Sequence, residues 1–327
     1  MREPAKYVER DNEVVFPPPF QQSDAFMTAW AVPSSKELQR ALLNRELNAP
    51  SDGQPFEYRP LLSRALLVLA NISKISCIGP SAPKGWLQEA DMSVWLLCGA
   101  YKLVNGRREL DHLAWYVPYI WVTIADAMAT GREVYGYPKA IGWAQLPRDP
   151  HDPGPLWTDG LVLPSYTPET QVVQQRIFEL ARNDQNTLPS TLQTFDASQR
   201  REAFEAIAKK LHTEGEAECD WNFFVESFED LLGLHQPMVF LKQFRDATAP
   251  NAASYQAIIE ANATVNGFSS AGFLPGGWDA RFYSYASCDL PGRLGFAPQQ
   301  RLDLGFYVYF SFSMDLGKTI WSAGGAR

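Results

Sequence analysis

Residues 131–139 read Gly-Arg-Glu-Val-Tyr-Gly-Tyr-Pro-Lys, and they hold the side chain best suited to covalent chemistry. Lys139 follows a proline, and Tyr135, Tyr137, Ala140, Ile141 and Trp143 give it a mostly apolar sequence setting. A lysine drawn into such a setting loses hydration of its ammonium form, and its pKa falls. Bringing a lysine from about 10.4 to near 7 takes roughly 5 kcal/mol of differential destabilisation. The neutral amine can then attack a carbonyl and form a Schiff base. Taken by itself, the same residue also reads as a solvated loop lysine.

Other patterns are decoys. Tyr135 and Lys139 have the Tyr-x-x-x-Lys spacing of short-chain dehydrogenases, but Pro138 disfavours helix at Tyr137, and that mechanism needs both groups on one helix face. No Gly-rich turn near the N-terminus is placed to hold a dinucleotide. In GPSAPKGW the lysine precedes the glycine and no Ser or Thr follows, so it is not a phosphate loop. No GxSxG elbow and no HExxH helix occur. Cys77, Cys98, Cys219 and Cys288 lack CxxC spacing, and His112, His151, His212 and His235 are scattered singly. We therefore expect free thiols, no metal and no cofactor.

The chain has 327 residues and a formal charge of −8. That charge argues against a nucleic-acid partner and against docking on an anionic membrane. No stretch approaches the roughly 20 apolar residues that span a bilayer. The N-terminal MREPAKYVERDNEVV has no apolar core of a secretory signal. The expected compartment is the cytoplasm.

The elements that must position Lys139 read mainly as strands. Pro17, Pro18 and Pro19 suggest an extended lead-in over residues 1–33. Ser34 and Glu37 form a capping-box pattern before a short helix with Leu38, Ala41 and Leu42 on one face. Residues 45–60 read as loop. From Arg64 to Thr123, β-branched and aromatic runs are punctuated by Gly and Pro. Asp126 to Tyr135 reads as a helix of two to three turns. SQRREAFEAIAKKLH carries an apolar stripe of Phe204, Ile207, Ala208 and Leu211, and DWNFFVESFEDLLG is a second amphipathic candidate. These helices are expected within an insertion at about 186–236, as packing on the sheet, a lid or an oligomer contact. Beyond it, Tyr255, Ala257, Ile259, Ala261 and Val265 share a face, and Phe306, Val308, Phe310, Phe312 and Met314 alternate with Tyr307, Tyr309, Ser311 and Ser313. Such alternation suits antiparallel sheet.

Gly131-Arg132-Glu133 followed by Tyr137-Pro138-Lys139 resembles the signature of the acetoacetate decarboxylase superfamily, as does the order of strands around it. The resemblance extends over about residues 15–180 and 238–315. It implies a mainly β, β-rich α+β fold: one domain over 1–327, with curved antiparallel sheets closing around a central cavity and a helical insertion. It also implies that Lys139 is a Schiff-base nucleophile acting on a small-molecule keto acid or related ketone, by decarboxylation or by aldol addition and dehydration. Glu89 matches a family acidic residue with an acid/base or orienting role, or is a surface strand carboxylate. Trp121 and Tyr137 match pocket-lining aromatic positions or are ordinary core aromatics, and Tyr135 is expected at the pocket with them. Arg132 and Glu133 belong to the motif and are expected at the pocket or as an ion pair fixing the helix before the lysine. Tyr283 and Tyr285 are weaker candidates. A homo-oligomer is expected.

Three departures bear on substrate. Ala140 stands where true decarboxylases have a second lysine. The family arginine falls near Asp24, and its associated glutamate near Leu66 or Leu67. These losses keep a second function open: a non-Schiff-base small-molecule binding or cyclase-like protein that retains the cavity.

Overall fold

The computed structural model describes residues 6–183, 193–214, 216–217 and 236–323. The strands of the first half are β1 (Phe20–Pro33), β2 (Phe56–Pro60), β3 (Arg64–Cys77), β4 (Trp86–Val104), β5 (Arg107–Val122), β6 (Lys139–Gln145), β7 (Leu156–Val162) and β8 (Val173–Arg182). Those of the second half are β9 (Thr194–Asp196), β10 (Gln236–Arg245), β11 (Ala253–Phe273), β12 (Trp278–Phe282), β13 (Ser284–Tyr285), β14 (Cys288–Asp289), β15 (Gln299–Leu302), β16 (Gly305–Met314) and β17 (Lys318–Ser322). The helices used below are α1 (Lys36–Leu43), α2 (Ala49–Ser51), α3 (Ala125–Val134) and α4 (Arg200–Glu214).

Fifteen of these strands form one sheet. Pairing runs from β4 through β5, β10, β11, β16, β1 and β3, then back to β4, so these strands form a closed ring. A wing of β6, β7, β8, β12 and β15 continues from β5. Most pairs are antiparallel, as the alternation implies, but β5 runs parallel to both β6 and β10. The β5–β6 pair needs a crossover, since parallel neighbours cannot be joined by a tight turn. Helix α3 is that crossover, and it delivers Lys139 to the first position of β6.

Three cores follow from strand alternation. On β3, Leu66, Val68 and Ala70 face the inside of the ring, while Ala65, Leu67 and Leu69 face the wing. Burial of both faces makes the run near-continuously apolar. The wing covers Trp30, Met92 and Val94 with Phe178, Trp278 and Phe282. A third cluster packs Leu43, Leu47 and Tyr58 against β5, β10 and β11.

Several local expectations need correction. The lead-in becomes β1 immediately after Pro19, because its residues gain partners on both sides, β16 and β3. Ser35, not Ser34, caps α1 by accepting from the Leu38 amide, while the Ser34 hydroxyl donates to the Leu294 carbonyl. The buried face of α1 is Gln39, Leu42 and Leu43, with Ala41 exposed. Residues 45–60 are loop only at 52–55: a short π-helix at Asn44–Asn48 runs into α2, and β2 pairs with β4. The insertion also holds β9, which pairs with β11. Helix α4 lies where the apolar stripe places it, with Phe204, Ile207, Ala208 and Leu211 buried. The second helical candidate, DWNFFVESFEDLLG, lies outside the described residues.

Candidate active site

At the end of helix α3, two glycines leave room that other residues would fill. A Cβ at Gly131 would sit 2.6 Å from Lys139 Cδ and 2.8 Å from Cε. The bare glycine therefore forms the slot in which the lysine stem lies. Gly136 has φ +97, and a Cβ there would meet the Lys242 backbone at 2.5 Å. The amides of Gly136 and Tyr137 both donate to the Gly131 carbonyl, at 3.1 Å, turning the chain sharply toward β6. Arg132 Nη1 donates to the Lys139 carbonyl at 3.1 Å and fixes the first residue of that strand.

Lys139 is only 8% exposed, and its side chain enters the ring. Its Nζ lies 2.5 Å from Glu89 Oε1, and Glu89 is 4% exposed. The Tyr137 ring stands 5.5 Å from Nζ. Tyr137 is packed by Phe240 at 4.3 Å and by Tyr135, whose hydroxyl donates to the Asp315 carbonyl at 2.7 Å. Burial pushes the Tyr137 phenol well above its ordinary range, so it stays protonated at neutral pH.

Strand β4 supplies most of the remaining polar surface, with Gln22 and Thr130 adding to it. Leu87, Glu89, Asp91, Ser93 and Trp95 recur at period two, and all line the cavity. Trp95 Nε1 donates to Ser93 Oγ at 2.8 Å, and Ser93 Oγ donates to Asp91 Oδ1 at 3.3 Å. Burial raises the Asp91 pKa to about 7; repulsion from Glu89 adds to the rise, and attraction to Lys139 opposes it. The site therefore holds an amine, a carboxylate against it, and a second carboxyl that exchanges its proton near neutrality. This combination suits proton transfer around a reacting carbonyl.

The cavity is about 160 Å³. Its remaining walls are mostly apolar, drawn from every strand of the ring and from Phe204, Ile207 and Leu211 of α4. Among the described residues lining it, Lys139 is the only cation. No group of three or more His, Cys, Asp or Glu among the described residues is placed to hold a metal.

Of the residues singled out in sequence, Lys139, Glu89, Tyr135 and Tyr137 come together here. Trp121 does not line this cavity: it sits in the core beneath the wing, stacked on Tyr119, with Gly142 and Gly160 against its indole. Arg132 acts through the backbone of Lys139, and Glu133 accepts from the Tyr7 hydroxyl at 3.1 Å; neither lines the cavity. The hydroxyls of Tyr283 and Tyr285 bond to β8, at Glu179 and the Arg176 carbonyl. Asp24 is exposed, Leu66 lines the cavity, and Ala140 packs toward the wing core. Asp91 was missed by the sequence reading, although its period-two relation to Glu89 is visible in LQEADMSVW.

No protein-family model matches the chain, and no curated protein matches it. Solved structures do. The crystal structure of acetoacetate decarboxylase from Legionella pneumophila superposes with a TM-score of 0.60 at 9% identity, covering 97% of this chain and 93% of that one. An acetoacetate decarboxylase-like enzyme from Sphingomonas wittichii RW1 gives 0.57 at 12% identity, covering 98% and 99%. The enduracididine biosynthesis enzyme MppR in complex with pyruvate gives 0.52 at 16% identity, covering 95% and 93%. Ring, wing and crossover together therefore give this chain the acetoacetate decarboxylase-like fold.

Proposed function

We propose that the protein is a Schiff-base lyase acting on the carbonyl of a ketone or keto acid through Lys139. The observation that carries this reading is a lysine side chain inside a mostly apolar cavity, with two carboxyl groups beside it. Glu89 is within reach to take the proton that Nζ must shed before it attacks. The nitrogen lone pair then adds to the carbonyl carbon, and the C=O pair moves to oxygen. That oxygen leaves as water after protonation by the carboxyl pair. The resulting iminium accepts the electron pair of a breaking carbon–carbon bond. If the bond is to a carboxylate, CO2 leaves; if it is to a carbinol carbon, the hydroxyl proton passes to a carboxylate and an aldehyde leaves. The enamine so formed takes a proton at carbon from the carboxyl pair, and water then hydrolyses the imine and restores the amine. Tyr137 and Tyr135 close the cavity on the lysine side.

The test is reduction with cyanoborohydride in the presence of a methyl ketone, followed by peptide mapping. A stable alkyl adduct on Lys139, absent from Lys139→Met, supports the reading. The direct Lys139–Glu89 contact also favours a second reading, in which the lysine is a charged partner of Glu89 and the cavity binds its ligand without a covalent step. Saturable ligand binding with no adduct between about pH 6 and 9 would establish that alternative.

A further inference from the structure

We infer that the substrate of this site is an uncharged ketone or aldehyde with an apolar body, and not a keto acid bound as its carboxylate. This inference rests on the Schiff-base reading and narrows it.

Charge in the cavity argues first. Lys139 and Glu89 neutralise one another, and Asp91 adds a second acidic group in the same enclosed space. Among the described residues, a substrate carboxylate would find no unpaired fixed cation in the cavity and two carboxyl groups nearby. An unpaired buried charge of this kind is strongly disfavoured. The nucleophile does not supply the missing charge at the moment of binding, because it must be neutral to attack, and the charge of the later iminium lies against Glu89.

Among the described residues, the surrounding chain offers no replacement. Arg132 is turned onto the Lys139 carbonyl, and Lys242 Nζ donates to the Val134 carbonyl at 3.1 Å. Position 140, where a second lysine would stand, faces the wing core rather than the cavity. Outside the described residues, the only lysines or arginines of the sequence are Arg2 and Arg327, in the terminal segments.

The walls argue second. Leu66, Val68, Val117, Phe306 and Val308 offer no donor for a carboxylate. The volume of about 160 Å³ accepts a short alkyl or small aromatic body. The polar groups, Gln22, Ser93 and Thr130, suit a hydroxyl or carbonyl oxygen. With no carboxylate to lose, the reaction left to the iminium is cleavage or formation of a carbon–carbon bond beside a hydroxyl, or loss of that hydroxyl as water.

The experiment uses the full chain and three probes: butyl methyl ketone, the keto acid carrying the same butyl group, and the methyl ester of that acid. Each is trapped with cyanoborohydride, and the rate of adduct formation on Lys139 is divided by the rate on Nα-acetyl-lysine. That division removes intrinsic differences in carbonyl reactivity. Ketone and ester are expected to exceed the acid by more than ~10-fold, the size of discrimination a like charge at short range produces. An acid that traps as fast as its ester overturns the inference while leaving the Schiff-base reading intact. Failure of all three to form an adduct overturns both.

Discussion

The space that Gly131 leaves empty is the space that the stem of Lys139 fills. The two residues are eight apart in sequence, joined by a helix end and a tight turn, and meet within the ring of strands. A Cβ at residue 131 would lie 2.6 Å from Lys139 Cδ and 3.3 Å from Nζ. Conversion of Gly131 to alanine is therefore expected to displace the amine from Glu89. Overpacking of this kind costs about 1–3 kcal/mol. Urea denaturation should show a loss in that range, with adduct formation falling by more than ~10-fold. Unchanged trapping in Gly131→Ala would mean that the lysine has other room.

Glu89 and Lys139 form a buried pair, and breaking one side of such a pair costs about 3–5 kcal/mol. Lys139→Met is expected to lose that much stability because Glu89 remains desolvated beside Asp91. Lys139→Met combined with Glu89→Gln should recover most of it, although neither variant forms an adduct. A double-mutant cycle by chemical denaturation measures the coupling. Additive losses would show that the two side chains do not depend on one another.

Asp91 makes stability depend on pH in a defined direction. Its pKa is about 7 in the folded chain against a reference value of 3.8. Between these values the folded state holds a proton that the unfolded state has released. Stability is therefore greatest, for this group, below the reference value and declines as pH rises toward 7, then levels off. Asp91→Asn carries no such dependence. Denaturation across this range should show the variant gaining on the parent as pH increases. A constant difference between them would contradict the burial argument.

Gln22 lines the cavity from β1 and has partial access to solvent. Gln22→Arg places a cation where the chain has none. The expected outcome is a rise of about tenfold in trapping of the butyl keto acid relative to its ester. Measured on Lys139, an unchanged ratio would mean that fixed charge does not set the preference.

Legibility in the sequence differed by residue. Phe306, Val308, Phe310, Phe312 and Met314 showed their common face because large apolar side chains at period two have one explanation, and all five line the cavity. Lys139 and Gly131 were visible through their shared motif, but the clearance between them is a contact across a turn and has no sequence signal. Asp91 was hidden by the same alternation that revealed β16. Ala90, Met92, Val94 and Leu96 form an apolar face, so Glu89, Asp91 and Ser93 read as the solvent side. In the fold both faces are covered, one by the wing and one by the cavity. Trp121 illustrates the converse: an aromatic on a strand of the ring has two interiors available, and its parity sends it to the wing core. The turn at Asn44–Asn48 reads as loop by composition, yet the Ala49 amide reaches back to the Asn44 carbonyl and keeps it helical.

The central claim is that Lys139 makes a reversible covalent bond to a ketone, and oxygen exchange tests it without any trapping reagent. Each imine formed and hydrolysed in isotopically labelled water replaces the ketone oxygen with one from solvent. With butyl methyl ketone, the protein is expected to accelerate incorporation of label, and Lys139→Met to return it to the buffer rate. Exchange at the buffer rate by the intact protein, with the ketone shown to be bound, would contradict the account.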